Sequence, residues 1–275
     1  MIVPHHSLRW LPLLLLGACA SPTPQPPPDT PVGAPPTIAW DTRASPLRLT
    51  AQVVASYPHD PAAWTQGLLW YDGAVLESTG LRGRSELRRV ELTSGAVRDR
   101  IPLEAALFGE GLALDRVRGR LVQLTWEAGR ALIWDVARFT PAGSFRYEGT
   151  GWGLCHDGRR FIMSQGTRRL SFRDPESFAE VGHSVLQVDA PLQLNELECA
   201  EGRVYANVWH DDRIVVMDPD SGRLLAWIDA SGLLTASEEA QANILNGIAH
   251  VPERGTFLLT GKLWPRVVEV RLVAR

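Results

Sequence analysis

Five copies of one short motif, a hairpin after each copy and a spacing near 44 residues predict an all-β fold. The copies are Thr65-Gln66-Gly67-Leu68, Gly109-Glu110-Gly111-Leu112, Gly151-Trp152-Gly153-Leu154, Leu194-Asn195-Glu196-Leu197 and Leu245-Asn246-Gly247-Ile248. Aligned on Gly67, Gly111, Gly153, Glu196 and Gly247, they lie 44, 42, 43 and 51 residues apart. Four short strands in every repeat of about 40–50 residues is the pattern of a β-propeller blade. The prediction is a five-bladed β-propeller. A β-sandwich is the alternative, but it needs no five-fold period.

The elements follow in order. His5, His6 and Arg9 precede an apolar run, Trp10 to Leu16, and then Leu16-Gly17-Ala18-Cys19. A charged start, a short apolar core and small residues read as a secretory leader over residues 1–18. The run is too short to span a bilayer, which takes about 20 apolar residues. Leu-Gly-Ala-Cys resembles a bacterial lipobox, so Cys19 is expected to be lipidated. Ala20, not Asp, follows it, which points to the outer membrane facing the periplasm. Eight prolines between Ser21 and Pro36 prevent a packed core and favour extended polyproline II, so residues 19–46 read as an anchored tether. The folded domain is expected over 47–275, and its first strand, Leu49–Tyr57, would complete the last blade, whose own fourth strand is missing. Such closure removes an exposed sheet edge.

Within each repeat an apolar strand is followed by a turn. The turns are Tyr71-Asp72-Gly73, Arg116 to Gly119, Asp157-Gly158, Glu201-Gly202 and Glu253-Arg254-Gly255. Second strands are predicted at 74–78, 120–125, 160–164, 203–207 and 256–260. Third strands are predicted at 86–92, 131–136, 168–172, 213–218 and 266–273, and fourth strands at 96–103, 140–147, 180–188 and 223–229. The long gap before the last repeat holds Leu233 to Asn243, with Ser231 or Thr235 as N-cap candidates, and predicts one short helix.

The 275-residue chain has a net charge of −3 and 45% hydrophobic residues, enough for one sizeable domain and without a basic face for nucleic acid. An exported protein permits a disulfide between Cys155 and Cys199. In the repeat register, however, Cys155 aligns with Glu198 and Cys199 with His156. Successive strand residues face opposite ways, so two free thiols pointing apart are expected.

In a propeller the first strands line the central channel. Gln66, Glu110, Trp152, Asn195 and Asn246 would then ring one mouth, joined by second-strand ends: Ser78-Thr79, Thr125-Trp126, Ser164-Gln165, Asn207 with Trp209, and Thr260 with Lys262. The histidines are scattered, and no HExxH, CxxC, calcium loop, phosphate loop or GxSxG occurs, so no metal or cofactor is expected. Trp70, Trp134 and Trp227 lie inside strands and read as packing. Trp126, Trp152, Trp209 and Trp264 sit beside polar groups and read either as packing or as an aromatic box around a small polar ligand. Lys262 has Glu198 as one candidate partner. Glu110 is the one acid among the five slot residues.

Trp64-Thr65-Gln66-Gly67-Leu68, Leu76-Glu77-Ser78-Thr79-Gly80-Leu81, Phe108-Gly109-Glu110-Gly111-Leu112, Leu124-Thr125-Trp126, Gly151-Trp152-Gly153-Leu154, Leu194-Asn195-Glu196-Leu197-Glu198, Asn207-Val208-Trp209, Leu245-Asn246-Gly247-Ile248-Ala249 and Thr260-Gly261-Lys262-Leu263-Trp264-Pro265 together resemble the plant and bacterial glutamine cyclotransferases. The resemblance runs from Val53 to Val273. It implies a five-bladed propeller that turns the N-terminal glutamine of peptides into pyroglutamate with release of ammonia, without a catalytic zinc. It implies Glu110 as the catalytic acid/base, and Gln66, Phe108, Trp126, Trp152, Asn195, Trp209 and Lys262 as substrate-binding residues. Trp64 stands where the family usually has Phe, which keeps an aromatic wall but narrows the pocket. Peptide substrates, a membrane link only through Cys19 and a monomeric state complete the expectation. A non-catalytic propeller binding peptide or sugar is the rival. A lactonase-like hydrolase is disfavoured, because the mouth lacks clustered metal carboxylates.

Overall fold

Short apolar runs closed by turn residues become strands throughout the chain. The structure is a computed structural model that describes Ile38, Trp40 and residues 45–275. The leader, Cys19 and the tether up to residue 37 lie outside the described residues. The described part is all-β with one four-residue helix. It opens with β1 (Leu47–Pro58). One sheet follows in chain order, β2 (Thr65–Tyr71), β3 (Ala74–Thr79), β4 (Glu86–Val90) and β5 (Val97–Pro102). The next comprises β6 (Gly109–Asp115), β7 (Arg120–Thr125), β8 (Arg130–Asp135) and β9 (Thr140–Arg146). The third comprises β10 (Leu154–His156), β11 (Phe161–Ser164), β12 (Arg169–Arg173) and β13 (Glu180–Val185).

The remaining strands are β14 (Leu194–Ala200), β15 (Arg203–Val208), β16 (Arg213–Met217), β17 (Leu224–Asp229), β18 (Leu245–Val251), β19 (Thr256–Gly261) and β20 (Arg266–Ala274), with α1 (Ala236–Glu239) before β18. They form one eight-stranded sheet through β1, in the order β14-β15-β16-β17-β1-β20-β19-β18. β1 pairs antiparallel with β20 from Leu49 to Pro58 and parallel with β17 from Leu47 to Thr50. The closing strand expected from the missing fourth strand is therefore present. It also stitches the fourth repeat to the fifth.

Burial separates inner from outer strands. β6 is buried at every position, whereas β5 and β9 are largely exposed and carry charges that suit an edge. The first strands touch in a closed cycle, β2 to β6, β6 to β10, β10 to β14, β14 to β18 and β18 back to β2. Five apolar clusters fill the gaps between successive four-strand units. Leu76 packs with Leu121, Leu124 with Met163, Ile162 with Val204, Tyr205 with Phe257, and Trp70 with Leu258. Each inner strand is thus buried on both faces. Asp72-Gly73 and Glu201-Gly202 turn their hairpins with both residues at positive φ, as two-residue hairpins require. The chain meets the domain before its first strand, since Ile38 and Trp40 pack half-buried against the cluster that holds Tyr205.

One expectation is corrected. Cys155 and Cys199 form a disulfide, with Cα atoms 5.3 Å apart, inside the usual bridging range. They do occupy opposite faces of their own strands, as the register says. But β10 and β14 belong to neighbouring units that stack, so opposite faces are the ones that meet. The short helix expected in the gap before the last repeat is α1, with Thr235 as its N-cap. Glu238 accepts the Thr235 N–H at 2.8 Å and starts it. Asn243 must then donate to the Lys262 carbonyl (2.8 Å), and Lys262 to that of Ile244 (3.0 Å), so the chain leaves the helix to pair beside β19.

Candidate active site

The motif residues gather where the first strands begin and the second strands end. Backbone bonds tie this end of the molecule together. Leu263 donates to Ala63 (2.7 Å), Gly80 to Trp64 (2.8 Å), Trp126 to Phe108 (3.2 Å), Gly151 to Trp126 (3.0 Å) and Trp209 to Gln193 (2.9 Å). Second-strand side chains hold the motif backbone of the next unit. Ser78 donates to the Glu110 carbonyl, Ser164 to that of Asn195 (2.6 Å), and Asn207 Oδ1 accepts from Gly247 N–H (2.9 Å). The glycines permit the close approach. A Cβ on Gly111 would fall 2.5 Å from Leu154 N, and the Gly111 N–H instead reaches Trp152 O at 2.7 Å.

Glu110, second residue of β6, is 5% exposed, and Lys262, just past β19, is 6% exposed. No hydrogen bond holds the Glu110 carboxylate among the described residues. Burial pushes its pKa well above the usual carboxylate range, and the Lys262 ammonium only partly offsets this. Burial likewise lowers the Lys262 pKa, against the pull of Glu110. The two charges influence each other without a direct ion pair. Lys262 Nζ lies 5.5 Å from the Trp64 ring centre, within cation–π range. Its partner is thus Glu110 rather than Glu198, which accepts the His250 N–H at 2.9 Å and whose pKa burial raises to about 8.

Aromatic rings pair up at the same end of the strands. Phe108 and Trp126 lie 5.5 Å apart, and Trp152 meets Trp209 edge-on at 5.8 Å. Trp209 is 39% exposed, unusual for a ring that only packs. Phe108 and Trp64 converge over Gly80, where a Cβ would lie 3.0 Å from Trp64 Cδ1 and collide with the Phe108 ring. Trp264 belongs elsewhere. It is 5% exposed within the core, and its Nε1 donates to Asn243 O at 2.9 Å. Of the amides, Gln66 and Asn195 are buried, and Asn246 Nδ2 donates to Gln66 Oε1 at 3.1 Å.

The starts of the first strands and the ends of the second strands therefore share one end of the strand cycle, where Glu110 and Lys262 feel each other's charge and Lys262 faces the Trp64 ring. Sequence reasoning missed three supports. Glu196 stands in a column that otherwise holds glycine, and its carboxylate accepts the N–H of Leu68 (3.3 Å) and of Ile248 (3.0 Å) from two other inner strands. That one non-glycine in the column was the available signal. Tyr147 OH donates to Thr125 O at 2.8 Å and so props the Trp126 segment. His59 meets Glu77 Oε1 at 3.0 Å, beside Thr65 (2.7 Å to the same oxygen) and Arg88. Scattered positions gave no hint of that cluster. Among the described residues, no three His, Cys, Asp or Glu side chains are grouped to share a metal ion.

A closed cycle of inner β-strands, with a buried acid and a nearby buried ammonium at one end, defines the class of this all-β protein. The particular family follows from comparison with known proteins. The glutamine cyclotransferase family profile matches residues 32–272, and the chain belongs to that family. A glutaminyl-peptide cyclotransferase of Arabidopsis thaliana is 37% identical over 228 residues, covering 80% of this chain and 71% of the plant protein. The crystal structure of Myxococcus xanthus glutaminyl cyclase superposes with a TM-score of 0.75 at 39% identity, covering 84% of this chain and all of the other.

Proposed function

We propose that this protein is a glutaminyl-peptide cyclotransferase, an enzyme that converts the N-terminal glutamine of peptides into pyroglutamate and releases ammonia. The observation that carries the mechanism is Glu110, buried, without a hydrogen-bond partner among the described residues, and raised in pKa by that burial. The substrate brings its own nucleophile. Its α-amine attacks the carbon of its γ-carboxamide, one C–N bond forms, and the bond to the amide nitrogen breaks. A free N-terminal amine titrates near 7.7–8.0, so a useful neutral fraction exists close to neutral pH. What the chain must supply is a folded-back substrate and a proton shuttle. Trp126, Trp152, Trp209 and Phe108 wall the site and hold a near-attack pose. Glu110 takes the proton from the attacking nitrogen and returns it to the departing one, so that neutral ammonia leaves. Gln66, Asn195 and Lys262 line the same mouth and suit the oxygen that gains charge.

The strand cycle and the five inter-unit clusters support a five-bladed β-propeller, with β1 as the outer strand of the last blade. The leader and Cys19 support export as a lipoprotein, held at the outer membrane and facing the periplasm. Incubation with a Gln-initiated peptide should lower the peptide mass by one ammonia, and Glu110→Gln should keep the fold while losing about 10²–10⁴-fold in rate. Near-wild-type ammonia release by that variant would remove Glu110 from its role. No mass change with wild type would favour a binding propeller instead.

A further inference from the structure

The Gln66 side chain has a fixed polarity, and the reason lies in the neighbouring inner strand. Asn246, on β18, is fully buried. Its Nδ2 donates to the backbone carbonyl of Thr65 at 3.0 Å and to Gln66 Oε1 at 3.1 Å. Which end of an amide carries the nitrogen has to be argued from its neighbours. Here the chain of neighbours starts from a carbonyl, which can only accept. A reversed Asn246 would set oxygen against oxygen at Thr65. With Asn246 so fixed, a reversed Gln66 would set two donors against each other. The arrangement also leaves Asn246 Oδ1 buried without a partner, an orphaned acceptor of the kind that demands an explanation. Gln66 Nε2, by contrast, has no protein partner among the described residues and is not among the sealed orphan atoms, so it opens to solvent.

We propose that Asn246 is a positioning residue that locks the Gln66 amide with its N–H groups toward the substrate, so that this point of the mouth takes a carbonyl oxygen and refuses an amide nitrogen. The inference rests on the cyclotransferase reading above. A glutamine carboxamide is itself nearly symmetric in shape, with oxygen and nitrogen interchangeable by a half-turn. A locked donor at Gln66 removes that ambiguity. The carboxamide oxygen goes to Gln66, and the nitrogen that must depart is left for Glu110. Asn246 is fully buried, and its side chain reaches the mouth through Gln66.

The test is a double-mutant cycle on a Gln-initiated peptide. Gln66→Glu keeps the acceptor for Asn246 but turns the mouth-facing end into an acceptor. It should lose about 10²–10³-fold in kcat/KM, the scale of one missing donor to a developing oxyanion. Asn246→Ala frees the Gln66 amide to rotate and should lose about tenfold or more, for one hydrogen bond. Asn246→Asp, which can only accept, should draw the Gln66 nitrogen inward and lose more than Asn246→Ala. In a Gln66→Ala background, Asn246→Ala should add nothing. Full additivity in the cycle, or wild-type kinetics for Gln66→Glu, would overturn the proposal. The side-chain amide of Gln66 gives a readout independent of turnover. Its NMR order parameter should be high in the wild type and fall in Asn246→Ala, and an unchanged value would also overturn the lock. If wild type itself released no ammonia, the functional reading would fail while the order parameter still decided the lock.

Discussion

Reducing the bridge between Cys155 and Cys199 perturbs the ring at one defined seam. The cysteines are 44 residues apart, so opening the bond releases a loop of that size in the unfolded chain. The chain-entropy relation gives about 4 kcal/mol for such a loop at 25 °C. For a domain of this size, each kcal/mol moves the melting temperature by about 2–4 °C, so a drop of roughly 8–16 °C is expected. The assay is urea and thermal unfolding followed by tryptophan fluorescence, with and without a phosphine reductant, and free thiols counted under each condition. Neither sulfur is among the mouth residues, so reduced protein below its melting range should keep its cyclase activity. Superimposable unfolding curves with both thiols titrating as free would refute the account. They would mean that the two strands are not cross-linked, or that the unfolded chain is already compact enough for the link to matter little.

Four further expectations follow from the mouth, its supports and the leader. The rate kcat/KM should rise with pH as Glu110 ionises, with an acid limb above the ordinary 4.5; Lys262→Met, which removes the charge that lowers that pKa, should shift the limb upward, and a downward shift would contradict the pairing. Gly80→Ala pushes a methyl into Phe108 and Trp64, so it should raise KM and cost about 1–3 kcal/mol in stability; unchanged kinetics would show that those rings do not shape the pocket. Burial disfavours the His59 imidazolium, but Glu77 outweighs it and raises the pKa, so that stabilisation is present below 6.5 and lost as pH climbs through the raised value. Burial also opposes ionised Glu77, yet His59 and Arg88 hold its pKa below 4.5, so its share is present above 4.5 and lost as pH falls through the lowered value; His59→Gln should flatten the alkaline fall in the melting temperature, and an unaltered fall would acquit His59. Cys19→Ala should yield protein without a lipid mass increment, whereas mature forms that differ by no more than the one sulfur atom would refute lipidation.

Much of this was legible because a strand declares its own faces. Apolar alternation and turns such as Asp72-Gly73 placed every strand within a few residues, and the missing fourth strand of the last repeat pointed to the segment that became β1. What a strand does not declare is which neighbour it will meet. The cysteine register was sound within each strand and misleading between them, because stacked units present opposite faces to one another. The cap candidate Thr235 marked where the short helix before β18 begins, but not that Asn243 and Ile244 pair with Lys262 across a loop that the sequence does not show closing. The His59–Glu77–Arg88 cluster joins residues from three separate segments, so no spacing rule could assemble it.

Burial alone would not have singled out the acid at the mouth. Among the described residues Glu77, Glu110, Asp115, Glu196, Glu198 and Glu269 are all buried. Glu77 is held by His59 and Thr65, and Asp115 by Arg118 and Arg120. Glu196 takes two backbone N–H groups and Glu198 one, while Glu269 takes Tyr57, Thr256 and Arg254. A raised pKa does not separate them either, since burial raises Glu196 and Glu198 as well as Glu110. The difference is what each carboxylate is bonded to. The other five spend their lone pairs on the protein, and moving a proton through any of them would break a structural bond. Glu110 accepts no hydrogen bond among the described residues, and Lys262 tunes its charge without occupying the oxygens. A proton can therefore come and go at Glu110 while the ring around it stays as it is, which is the condition a shuttle between two nitrogens of one substrate requires.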